Sequence, residues 1–209
     1  MNALHLSFAL LLVSAPFAST VHTHAPAAAP GPTAIAAAPA AVEGVFAKEV
    51  IDGLLKASGC TGIRFYTVLR NTDPSSSSVV AIPVDKDGKE IQSWFLGSPY
   101  RMYTALSGSS VGVEKLSRNK ASDACIRYTT AGGSCFAATV SSSDVLAVLD
   151  TKCAAVQLVV VDGKFQMSAA NVADGKLQMM GTGPTYQRMS GDPCPVVCGA
   201  DPSVFLKMK

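Results

Sequence analysis

Cys194-Pro195-Val196-Val197-Cys198 is the stretch of this 209-residue chain whose residue types and spacing carry latent chemistry. Two thiols four apart can close a disulfide, exchange electrons with a substrate, or supply half of a four-thiolate metal site. A redox role requires one thiol of lowered pKa, which a neighbouring cation or helix start would provide. Neither flanks the pair, and Asp192 opposes it. The spacing also differs from the C-x-x-C of thioredoxin-like enzymes. A structural crosslink between Cys194 and Cys198 is the expected reading of the pair; for the whole chain the expectation is a non-enzymatic structural or binding protein of unknown ligand, with a thiol-disulfide redox protein acting through Cys194 and Cys198 as the alternative. Cys60, Cys125, Cys135 and Cys153 bring the total to six, an even number that in an oxidising compartment reads as up to three disulfides, with connectivity undetermined by sequence.

Histidine occurs only at positions 5, 22 and 24, all ahead of the charged part of the chain. The region beyond therefore lacks the base of a Ser-His-Asp or Cys-His constellation and the imidazole of most zinc sites. That weakens Gly108-Ser109-Ser110-Val111-Gly112 as a nucleophile elbow, which also needs a strand before it and a helix after it. A turn is the plainer reading. Ser117-Arg118-Asn119-Lys120 matches S-x-x-K but has no K-T-G or S-D-N partner. Asp85-Lys86-Asp87-Gly88 resembles the middle of a calcium loop, yet Pro83 and Trp94 would fall at the terminal ligand positions. Trp94, Phe95, Tyr100, Met102 and Tyr103 form an aromatic cluster, read as packing before ligand platform. No catalytic residue, cofactor-binding residue or metal ligand is assigned, and no cofactor is implied. Seventeen Lys and Arg against 15 Asp and Glu give a net charge of +2, too small a field to point to nucleic acid.

Residues 1–42 carry no Lys, Arg, Asp or Glu. Leu4–Val13 has the length and composition of a secretory h-region, with small residues following, and is too short to span a bilayer. The reading is a signal peptide over 1–18 and an Ala/Pro linker over 19–44. It places the protein outside the cytoplasm, secreted or periplasmic, with no integral membrane segment after signal removal and an unknown partner.

The remainder repeats one plan. Val45–Cys60 shows helical periodicity in Val50, Ile51, Leu54 and Leu55, then a cysteine, then TGIRFYTVL, a polar turn, VVAIPV, an Asp-Gly turn and KEIQSWF. Ser134–Cys153 repeats this with Val145, Leu146, Val148 and Leu149, followed by AAVQLVVV, KFQMSAANV and KLQMMG between Asp-Gly turns. Helical spacing followed by β-branched runs and Asp-Gly turns predicts a helix and then an antiparallel meander. The expected class is α+β: two related αβββ-like units, 45–96 and 134–183, docked or sharing one sheet. A connecting segment over 97–133 should hold a helix near Val113–Tyr128, and a Cys/Pro tail occupies 184–209. Cys60 and Cys153 fall at equivalent helix-to-strand junctions.

EVIDGLLKASGCTGIRFYTVL, the strand VAIPVDKDGKEI and the terminal PCPVVCG resemble a group of uncharacterised bacterial proteins with a helix, a G-C-x-G-I-R segment and a closing C-P-P-x-C-G. The likeness covers residues 46–91 and 192–199, with Val196 in place of a second proline. It implies a shared small fold and no particular activity.

Overall fold

A computed structural model of the chain describes residues 41–92, 98–133 and 137–191. Its elements are β1 (Glu43–Ala47), α1 (Lys48–Leu55), β2 (Gly62–Leu69), β3 (Ser77–Val84), β4 (Tyr100–Ser107), β5 (Ser110–Leu116), α2 (Arg118–Thr130), β6 (Ala137–Ser141), α3 (Ser142–Leu149), β7 (Ala155–Val161), β8 (Lys164–Ala173), β9 (Lys176–Met179) and β10 (Gln187–Met189). The fold is α+β, with three helices and two five-stranded antiparallel sheets among the described residues. Cys135, Cys194, Cys198, Trp94 and Phe95 lie outside those residues.

The units do not share one sheet. Each builds its own and lends its first strand to the other: the sheets run β1-β7-β8-β10, with β9 also on β8, and β5-β4-β3-β2-β6. Ala47, the last residue of β1, pairs with Ala155, the first of β7, just as Ser141 at the end of β6 pairs with Gly62 at the start of β2. The exchange continues one hydrogen bond further in both halves, from Lys48 N to Ala154 O at 3.0 Å and from Ser142 N to Thr61 O at 2.8 Å. Residues 43–47 and 137–141 are thus short strands entering each helix, where the sequence reading had linker and helix. Five residues with a mixed pattern carry too little periodicity to be told from a helix approach.

The two helices match by position. Ile51, Leu54 and Leu55 correspond to Val145, Val148 and Leu149, and all are buried except the partly buried Leu55. Leu146, expected inward, is 46% exposed. Ser141 caps α3, its Oγ accepting from Asp144 N at 3.2 Å. Gly59 ends the first helix region at φ +78°, and Lys152 occupies the same place in the second at φ 62°. Asp162-Gly163 and Asp174-Gly175 have positive φ at both residues, the requirement of a two-residue hairpin loop.

Two further expectations change. The helix placed near Val113–Tyr128 is α2, starting at Arg118, because residues 110–116 are β5. KEIQSWF forms no continuous strand in its described part; only Glu90 bridges, to Val84.

The two sheets pack face to face. Phe65 of β2 lies 6.3 Å from Phe46 of β1 and 5.9 Å from Phe165 of β8, ring centroid to centroid. Gly44 crosses Val79 so closely that a Cβ there would meet Val79 Cβ at 2.6 Å. The opposite face of β2 is covered by α2, whose Ala121, Ala124, Cys125 and Tyr128 are buried. Both faces of β2 being covered explains why all eight of its residues are buried.

Candidate functional site

The helix-covered face of the second sheet carries the densest polar chemistry of the described residues. Strand registers set Leu116 opposite Tyr100, Ile82 opposite Arg64, and Arg64 opposite Thr139. Continuing the β3–β4 register by one residue places Ile82 beside Tyr100, so one row crosses all five strands. The neighbouring row is Glu114, Met102, Val80, Tyr66 and Ala137. Arg64 and Tyr66 share this face because side chains two apart on a strand point the same way.

Glu90, one turn beyond β3, reaches into this face. Its Oε1 accepts from the Tyr66 hydroxyl and its Oε2 from the Tyr100 hydroxyl at 2.9 Å. Burial pushes the Glu90 carboxyl above the usual carboxylate range, while the two phenol donors, Arg64 and Arg118 pull the other way. Burial and the nearby carboxylate also raise both phenols, Tyr66 and Tyr100, well above an ordinary tyrosine. Arg64 is 4% exposed. Its Nε donates to Thr139 Oγ1 at 3.3 Å, whereas Nη1 is buried with no hydrogen-bond partner among the described residues. Arg64 and Glu90 form no direct ion pair.

Further along the same rows, at the β4–β5 edge and under α2, the surface opens into a cleft of about 260 Å³. Its floor is Met102 and Leu116, both buried, and its walls are Arg70, Glu114, Lys120, Asp123 and Arg127. Lys120, Asp123 and Arg127 come from one helix because positions three and four apart lie on one face. Two walls are anchored: Arg127 donates to Leu69 O and Arg70 O at 3.0 and 3.1 Å, and Arg70 donates to Thr104 O. No ion pair joins the charged groups of the cleft to one another.

The motifs read from sequence resolve into structural roles. Gly108, at φ +58°, and Ser109 form the β4–β5 turn, so no strand-to-helix elbow exists there. Ser117 caps α2, its Oγ accepting from the backbone N of Lys120 at 3.4 Å, which gives the serine of S-x-x-K a capping role. The Asp85 carboxylate accepts from Asp87 N and Lys89 N at 2.9 and 2.8 Å, spending itself on its own turn. Of the aromatic cluster, Tyr100 and Met102 are buried and Tyr103 packs partly buried against the core.

No disulfide joins any two of Cys60, Cys125 and Cys153. Cys60 Sγ donates to Gly62 O at 3.3 Å, and burial raises its pKa. Cys153 Sγ donates to Val148 O at 3.6 Å and Cys125 Sγ to Thr67 O at 3.4 Å. Cys60, half-buried, and Cys153, buried, fall at equivalent helix-to-strand junctions, each donating to a nearby backbone carbonyl. Among the described residues no group of three or more His, Cys, Asp or Glu could hold a metal, and no helix is long and apolar enough to cross a membrane.

Sequence reasoning passed over Arg64, Tyr66, Glu90 and Thr139. A signal was present: GIRFYTVL is apolar almost throughout, so an arginine within it must be buried and answered by something. The same strand explains much of the GCTGIR segment. Gly59 has positive φ, a Cβ on Gly62 would meet Val140 O at 2.7 Å, and Arg64 lies in the row that crosses the sheet. The chain matches no protein-family model, no curated protein and no solved structure.

Proposed function

We propose that this is an exported, non-enzymatic binding protein whose ligand site is the cleft between α2 and the β4–β5 hairpin. The observation that carries the reading is the cleft's construction: an apolar floor, walls of both charge signs left unpaired with each other, and two arginines held by backbone carbonyls. Its volume, about 260 Å³, falls just below the roughly 300 Å³ at which drug-sized ligand pockets begin, so the occupant is a small polar molecule. The groups elsewhere that suit acid-base chemistry hold one another, since both Glu90 oxygens take phenol donors. That arrangement favours a rigid support over a reacting centre.

Export to a secreted or periplasmic location, a crosslink between Cys194 and Cys198, and kinship with the bacterial group belong to the same proposal. The uncharged leader supports the first, the Cys-Pro spacing the second, and the GCTGIR segment with the closing PCPVVCG the third. The binding claim is tested by methyl-labelling methionine and titrating small zwitterions, anions and cations. Selective shift of the Met102 methyl, lost in Asp123→Asn or Glu114→Gln with the fold intact, is the expected result. Ligands that bind while leaving Met102 unmoved would place the site elsewhere.

A further inference from the structure

We propose that the occupant of the cleft between α2 and the β4–β5 hairpin is a free α-amino acid with an apolar side chain of leucine or methionine size, an inference that rests on the binding reading above and narrows it. Asp123 lies three residues after Lys120 and four before Arg127, spacings at which helical side chains ordinarily pair. Among the described residues it pairs with neither. Arg127 is drawn the other way, its Nε and Nη2 donating to Leu69 O at 3.3 and 3.0 Å and Nη2 also to Arg70 O at 3.1 Å. Arg70 is likewise turned to the backbone, with Nε donating to Ser76 O at 3.4 Å and Nη1 to Thr104 O. A guanidinium offers five N–H donors in a rigid fork, so each arginine is held in place with donors to spare. The helix carboxylate is left without its usual partner.

Glu114 brings a second carboxylate from the strand wall, where β5 sets it directly across from Met102 of β4. A plain anion entering the cleft meets Glu114 and Asp123, and a plain cation meets Arg70, Lys120 and Arg127. A molecule that carries an ammonium and a carboxylate on one carbon answers both signs at once. Its carboxylate takes the spare guanidinium donors and the Lys120 ammonium, and its own ammonium takes Glu114 and Asp123. The floor of Met102 and Leu116, 4% and 3% exposed, then receives an apolar side chain. Size agrees: a cavity of about 150 Å³ holds benzene, so the cleft's volume of about 260 Å³ admits roughly ten non-hydrogen atoms. That is the size of free leucine or methionine and excludes a longer peptide.

The test is calorimetric titration of the whole protein with leucine, N-acetyl-leucine, leucinamide and glycine, the Met102 methyl signal being followed in parallel. Leucine should bind and shift Met102. Blocking its ammonium, blocking its carboxylate or removing its side chain should each weaken binding about tenfold, the effect of losing one charge-assisted or apolar contact. In the double variant Glu114→Gln, Asp123→Asn, both at exposed positions, leucine should fall to the affinity of N-acetyl-leucine. In Lys120→Gln it should fall toward that of leucinamide. N-acetyl-leucine, leucinamide or glycine binding as tightly as leucine in the wild type, with Met102 shifted, overturns the amino-acid claim while leaving the cleft a binding site. Failure of leucine to bind overturns it as well, and the broader reading then stands or falls on whether a plain anion or cation moves Met102. Leucine that binds without moving Met102 removes both.

Discussion

Replacing Phe46 by alanine tests whether the exchanged strands hold the molecule together. Phe46 is fully buried in β1, which belongs to the first unit by sequence but lies on β7 of the second, with its ring against Phe65. Truncating a buried phenylalanine costs about 3–5 kcal/mol, transfer and cavity together. Against a total stability of roughly 5–15 kcal/mol this is a large fraction. With a urea slope of about 2 kcal/mol/M, the unfolding midpoint should fall by about 1.5–2.5 M. Circular dichroism and native-state hydrogen exchange report the change. Because each sheet contains a strand from the other half, both halves should lose stability together in one transition. Leu146→Ala, at an exposed residue, serves as the control and should stay within about 0.5 kcal/mol. Two separated transitions, with only the sheet containing β1 affected, would refute the reciprocal exchange, as would a loss below about 1 kcal/mol for Phe46→Ala.

Lys152→Gly should raise stability by about 0.5–1 kcal/mol in thermal unfolding, because Lys152 sits at φ 62°, where its counterpart is Gly59. Gly62→Ala should cost about 1–3 kcal/mol through its 2.7 Å approach to Val140 O, while Gly53→Ala, with open space around it in α1, should gain about 1 kcal/mol. Glu90 has a raised folded-state pKa, so its contribution is fully present below its unfolded value and is lost as pH rises through the folded one. Urea midpoints measured from about pH 4 upward should therefore show a decline that Glu90→Gln lacks. Thiol titration without reductant should find Cys153 unreactive in the native state, and both Cys60 and Cys153 reactive after denaturation; protection of either thiol after unfolding would contradict their unpaired state.

The sequence alone determined the local elements whose signals are short-range. Helical spacing in Ile51, Leu54 and Val145, Val148 marked α1 and α3, and Asp-Gly pairs marked two hairpins. Repetition of those signals pointed to a plan used twice, since a helix, a cysteine and a meander recur in order, and the α+β class with two antiparallel sheets is what the structure shows. Pairing between strands is decided at long range, by which edges remain unsatisfied once the meanders form. Nothing in EGVFA or AATVS says that each will lie on the other unit's sheet. The same distance in sequence hid the polar row. Arg64, Glu90, Tyr100 and Thr139 come from four separate segments and meet only because five strands align in register under α2. Their chemistry is a property of that alignment, since burial of Arg64 and Glu90 exists only where two sheets and a helix exclude water from both faces of β2.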